Sequence, residues 1–204
     1  MRTPLFAVAT FAVVGLGLSM SPAFGQALDA RQLVESLRKG GLVIVMRHAS
    51  SPREVPTKET AAAGNTKLER QLDETGRDTA TAMGNALRQL RIPISAVLSS
   101  GTFRALQTIK LAGLGEPTVA AELGDGGQSM QVTSDAQSSW LKARVTQVPA
   151  NGNVLLVTHM PNVSRAFPEW GAVADGESVV LRPDGKGFAV LGRIKIEEWP
   201  TLRP

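Results

Sequence analysis

Three short apolar runs, each ending in polar residues and each followed by a helix-forming stretch, restrict the fold of this chain more than any other feature. They are "LVIVM" at 42–46, "ISAVLSS" at 94–100 and "VLLV" at 154–157. A strand that is apolar at consecutive positions buries both faces, which calls for a sheet covered by helices on either side. The segments between supply those helices. "LDARQLVESLRKGG" has Asp29 as a cap, Leu33, Val34 and Leu37 as an apolar face, and Gly40 and Gly41 as a stop. In "LDETGRDTATAMGNALRQLRIP", Thr75 and Asp78 are spaced as a capping box, and Ala80, Met83, Leu87 and Leu90 recur at helical spacing before Pro93. "TFRALQTIKLAGLG" reads as a helix ended by glycines, "SSWLKARVTQVP" as another, and Pro161 opens a helix after the third strand. Residues 122–138 are read first as loop, and the tail as two strands, "ESVVLRP" and "GFAVLGRIKIEEW", joined by the hairpin turn "DGKG". The predicted fold is α/β: a single three-layer domain, mostly parallel sheet, with helices on both faces.

The length of 204 residues, with 43% hydrophobic and 20% charged content, suits one such domain. Before it, Arg2, the uncharged stretch at 5–18 and the small residues of "SPAFGQA" have the layout of a secretory signal peptide. We expect residues 1–25 to be the signal, with a cut after Gly25 or after Ala27, and residues 26–204 to be the domain. The apolar core is shorter than the roughly 20 residues of a membrane span, so a periplasmic or secreted location with no stable span is expected. The chain has no cysteine, which excludes thiol nucleophiles, thiolate metal sites and disulfides. Its net charge of +4 is spread out and aromatic residues are few, so nucleic acid is not an expected partner.

In open α/β sheets ligands bind beyond the carboxyl ends of the strands. Here those ends carry Arg47 and His48, the Ser99-Ser100 turn leading to Arg104, and His159. His48 and His159 are the chain's two histidines, and each follows an apolar strand and precedes a turn. Two guanidiniums and two imidazoles around one point describe a site for a dianion, phosphate above all, because guanidinium forks match phosphoryl oxygens.

These segments resemble a known family. "VMRHASS" is similar to the arginine-histidine motif of the histidine phosphatase superfamily, which also contains the cofactor-dependent phosphoglycerate mutases; the likeness is to its branch 1 type. "LSSGTFRALQT", "LDETGRDTATAMG" and "VLLVTHMPNV" resemble three further segments of that family, in the same order. Ala49 stands where many members have glycine and Gly101 where proline is usual. The resemblance implies a phosphoglycerate mutase-like fold and an enzyme that hydrolyses phosphomonoesters, of the histidine acid phosphatase type. It implies His48 as a nucleophile forming phosphohistidine, and Arg47, Arg104 and His159 as phosphate ligands, with His159 also counted as catalytic. The resemblance implies a carboxylic acid as proton donor after the Arg104 helix; Glu122, which comes first there and has the longer reach, is the expected one, with Asp125 or no dedicated acid as the alternatives. No metal or other cofactor is required in this scheme.

Two other functions compete. One is phosphoglycerate mutase-type phosphoryl transfer, which fits poorly with an exported, compact chain. The other is a metal-dependent hydrolase or metal-binding module using His48 and His159 with Glu122 or Asp125, which the adjacent arginines oppose by repelling a cation. A binding module without catalysis is a third. The substrate is left open among phosphorylated small molecules, envelope glycans and phosphoproteins, with the loop 51–67 and the segment after Glu122 as its expected walls. "NVS" at Asn162 is a formal glycosylation triplet read as structural.

Overall fold

A computed structural model describes residues 28–125 and 133–203. The expected signal peptide lies outside the described residues, and among the described residues no helix is long and apolar enough to cross a membrane.

Six strands form one sheet: β1 (Val43–Arg47), β2 (Ile94–Ser99), β3 (Thr118–Val119), β4 (Asn153–Thr158), β5 (Ser178–Pro183) and β6 (Phe188–Ile194). Their order is β3-β2-β4-β1-β5-β6. β3, β2, β4 and β1 pair in parallel, while β5 is antiparallel to both β1 and β6. The sheet is thus mostly parallel, with one strand reversed by the hairpin that "DGKG" closes.

The continuous apolar strands are explained by two cores. Ile44, Met46, Leu155, Val157 and Val180 enter one, against α1 (Ala30–Lys39), α2 (Glu74–Gln89) and α3 (Phe103–Ala112). Val43, Val45, Val154, Leu156, Val179 and Leu181 enter the other, against α4 (Asp135–Val145) and α5 (Met160–Ala166). Alternate residues of each strand therefore face opposite helical layers. Full burial of such a side chain contributes about 1.5–3 kcal/mol, so neither face can be left bare.

Three local expectations change. Helix α2 is capped by Asp73, whose carboxylate accepts from the Gly76 N–H at 2.7 Å, and not by a Thr75–Asp78 box. The other carboxylate oxygen of Asp73 accepts from Ser50 Oγ at 2.6 Å, a tertiary bond that the local spacing could not reveal. The last strand ends at Ile194, because residues Ile196–Thr201 turn into a 3-10 helix that buries Trp199 under the first core. The stretch read as loop from 122 begins with the 3-10 turn Ala121–Leu123, and α4 starts at Asp135 behind a Ser134–Gln137 capping box.

Sheet register fixes the functional edge. Arg47 pairs with Thr158, Ser99 pairs with Val157, and the His48 and Ser100 N–H groups bond back to β4 carbonyls. The ends of β1, β2 and β4 thus lie side by side. Helix α2 presses on the loop after His48 so closely that a Cβ on Gly76 would fall 2.1 Å from the Ser50 carbonyl oxygen. Gly76→Ala is therefore expected to destabilise the domain by about 2 kcal/mol or more, lowering Tm by several degrees in calorimetry. An unchanged Tm would mean that α2 does not seat against Ser50 in this way.

Candidate active site

Arg104, in the first turn of α3, is the centre of the site and is fully buried. Its Nε donates to His48 Nε2 at 3.1 Å. Its Nη2 donates to Asp125 Oδ2 at 2.5 Å and to His159 Nδ1 at 3.1 Å. These contacts assign the tautomers, because a guanidinium can only donate. His48 must carry its proton on Nδ1, which lies 2.7 Å from the Ala49 carbonyl oxygen. His159 must carry its proton on Nε2, which lies 2.8 Å from Ser100 Oγ. The two rings meet edge to face, with centroids 5.0 Å apart.

Both imidazoles are held neutral. Burial, helped by Arg104, Arg47 and Arg70, lowers the pKa of His48 to about 3, against a smaller upward pull from the Ala49 carbonyl. Burial, then His48 and the same arginines, puts His159 well below its ordinary value. A neutral His48 with its proton on Nδ1 leaves the Nε2 lone pair as the nucleophilic atom.

His48, Asp125 and His159 floor a cavity of about 280 Å³ whose walls include Arg47, Ser51, Arg53, Arg70, Met160 and Asp175. Arg47 is half-buried; its Nη1 donates to the Val173 carbonyl at 3.0 Å and its Nη2 lies 2.6 Å from Asp175 Oδ1. The buried Arg70 donates to the Ser51 and Pro52 carbonyls, which pins the loop after His48 to the cavity wall.

The structure brings Arg47, His48 and His159 to one cavity, as the strand ends suggested, with Arg104 fully buried directly behind the two imidazoles. Glu122 does not line it. That residue sits on the 3-10 turn Ala121–Leu123, where Leu123 takes the inward position and the chain then turns Asp125 toward Arg104 and His159. Asn162 locks this turn by donating to the Glu122 and Gly124 carbonyls. It is buried, which gives the Asn-Val-Ser triplet a structural role. Arg70 and Asp175 were missed; each is a charged loop residue with no periodicity to mark it. A cation between the two imidazoles would meet the Arg104 guanidinium, which already bonds to both rings.

Neutral buried histidines make stability depend on pH with a definite sign. The folded pKa of His48 lies below the unfolded value near 6.5, so its contribution is complete above pH 6.5 and is lost as pH falls toward about 3. Within that window one such histidine contributes a slope of up to about 1.4 kcal/mol per pH unit. Urea denaturation at pH 6.5 and 4.5 should show a smaller acid loss for His48→Gln than for the wild type. Equal losses would mean that His48 titrates in contact with water.

No family model matches the chain, and no curated protein matches it. Solved structures do. A protein histidine phosphatase, SixA, solved with tungstate is 22% identical; the match covers 77% of this chain and 98% of that one, with a TM-score of 0.56. A phosphoserine phosphatase from Entamoeba histolytica, solved with phosphoserine, is 12% identical over 76% of this chain and 98% of that one, with a TM-score of 0.53. The product of an open reading frame of Mycobacterium tuberculosis is 20% identical over 73% and 94% of the two chains, with a TM-score of 0.51. The six-stranded α/β sandwich described above is thus the fold shared by the histidine phosphatase SixA and these other solved chains.

Proposed function

We propose that the chain is an exported member of the histidine phosphatase superfamily that hydrolyses a phosphomonoester through a phosphohistidine on His48. The observation that carries this reading is the pair of contacts from the buried Arg104 to His48 Nε2 and to His159 Nδ1, two imidazoles that line one cavity. A neutral imidazole nitrogen stands there beside fixed cationic donors, an arrangement suited to attack on a dianionic phosphoryl group.

The chemistry follows from that geometry. A phosphoryl group entering the cavity displaces Arg104 from the His48 lone pair and takes up the donors of Arg104 and Arg47 on its nonbridging oxygens. His48 Nε2 then attacks phosphorus in line as the ester P–O bond breaks. The His48 Nδ1–H bond to the Ala49 carbonyl stabilises the positive charge that develops on the ring. The fixed guanidiniums stabilise charge spread over the oxygens in a loose transition state. Water attacks the phosphohistidine in a second in-line step, returning phosphate and neutral His48. The compact cavity and the expected signal peptide support a phosphatase over a mutase. The substrate class is left at phosphomonoesters, whether of small molecules, envelope glycans or proteins.

Wild-type protein quenched with alkali during turnover of labelled phosphomonoester should carry base-stable, acid-labile phosphate on His48. His48→Ala should abolish both label and turnover, vanadate should inhibit, and chelators should have no effect. An active His48→Ala enzyme would defeat the mechanism, and chelator inactivation reversed by a divalent metal would favour a metal hydrolase.

Arg104→Ala should lose about 3 kcal/mol of transition-state stabilisation, a hundredfold or more in kcat/KM. It would also strand buried Asp125 without its closest cation, so a thermal melt must accompany the assay. Arg104→Lys keeps the charge but loses the fork that reaches His48, Asp125 and His159 together. It should fold, and still fall at least tenfold in rate. Normal turnover by Arg104→Lys would reduce Arg104 to a structural charge.

A further inference from the structure

The phosphatase reading needs a proton for the leaving oxygen, and the arrangement of the cavity narrows its source. His48 is only 3% exposed and forms the floor. In-line displacement directs the leaving group away from the nucleophile, and so toward the mouth of the cavity. A proton donor must therefore stand at the mouth. Among the described residues, two carboxylates line this cavity, Asp125 and Asp175. The Asp125 side chain is 3% exposed and lies against Arg104 and His159 on the floor, on the nucleophile's side. The Asp175 side chain is 37% exposed and paired with Arg47, whose guanidinium borders the mouth. Its place is tied to the nucleophile, because the Gly176 N–H donates to the His48 carbonyl at 2.9 Å and the Arg47 N–H to the Glu177 carbonyl at 3.1 Å.

We propose that Asp175 is the catalytic acid that protonates the leaving oxygen, an assignment that rests on the phosphatase reading above. The ion pair with Arg47 provides the switch. The guanidinium beside Asp175 favours the ionised carboxylate. A phosphoryl dianion that takes the Arg47 fork removes this counter-charge and puts two negative charges beside Asp175, which favours its protonated form. Burial already pushes this carboxyl above its ordinary range, Arg47 and Arg70 pull it down, and Asp73 pushes it up. Half exposed, Asp175 can take its proton from water. As the P–O bond breaks and the P–N bond to His48 forms, that proton passes to the leaving oxygen and the product departs as the alcohol. In the second step the Asp175 carboxylate accepts a proton from the attacking water, the P–N bond breaks, and the site is restored. The net reaction consumes one water and yields alcohol and phosphate.

Asp175→Asn keeps the shape and an oxygen facing Arg47 while removing the transferable proton. The test compares kcat/KM, which reads the first chemical step, for ethyl phosphate and 4-nitrophenyl phosphate. Nitrophenolate leaves unaided, whereas ethoxide does not. Asp175→Asn should lower the ethyl phosphate value roughly a hundredfold and the nitrophenyl value less than about fivefold. Asp175→Glu should recover part of the ethyl phosphate rate. Equal losses on both esters would make Asp175 a positioning residue for Arg47, and no loss on either would remove it from the mechanism; both results overturn the assignment. Failure of the phosphatase reading would look different: wild-type protein would hydrolyse neither ester, and the assignment would fall with it.

Discussion

The structure is organised around a buried guanidinium. Removing Arg104 from water carries a desolvation cost of several kcal/mol, and it is sustainable only because Asp125 supplies a counter-charge and two imidazole nitrogens supply further acceptors. The consequences run outward from that charge. It orients both histidine rings, assigns their tautomers and, with burial, keeps them neutral. A His48 exposed to water would spend part of its time protonated near neutral pH and would lack a directed lone pair. The cost of burying the arginine is therefore matched by an imidazole lone pair that stays free of a proton across the physiological range.

The scaffold that holds Arg104 in place is made of short, direct ties. Thr108, one turn along α3, accepts the Ala49 N–H through Oγ1 and donates to the Arg104 carbonyl. One hydroxyl thus links the helix carrying the guanidinium to the residue after His48. Asp73 bonds Ser50, and Gly76 admits the Ser50 backbone against α2. On the opposite face Thr158 donates to the Leu123 carbonyl, and Asn162 donates to the carbonyls on either side of it, those of Glu122 and Gly124. These bonds deliver Asp125 to the cavity from a segment with little regular structure. Every tie ends within a few residues of His48, Arg104 or His159, so the second layer stiffens the site itself.

The floor and mouth of the cavity have different characters. The floor is buried and preorganised, built on strand ends and on a helix, and its groups have fixed partners. The mouth is built on loops, where Arg70 grips two carbonyls and Arg47 pairs with a half-exposed carboxylate. This division suits the proposed phosphatase, since rigid elements position reacting atoms more closely than loops do.

The amino-acid sequence by itself determined the layers and most of the floor. Consecutive apolar residues such as Val43 to Met46 require two covered faces, and polar residues that break such a run, Arg47-His48 and Thr158-His159, must lie at the sheet's edge. Arg104 was legible because it follows a strand-ending serine pair at the first turn of a helix. These signals are local, since they depend on a period or on a boundary. Arg70, Asp175 and the choice of Asp125 over Glu122 as the carboxylate at the cavity had no such signal. A 3-10 turn as short as Ala121–Leu123 has no period to reveal which side chain faces inward. Only the tertiary structure decided them: β-strand register aligned Arg47 with Thr158 and Ser99 with Val157, and that alignment selected which distant loops could place a charge against Arg104 and Arg47.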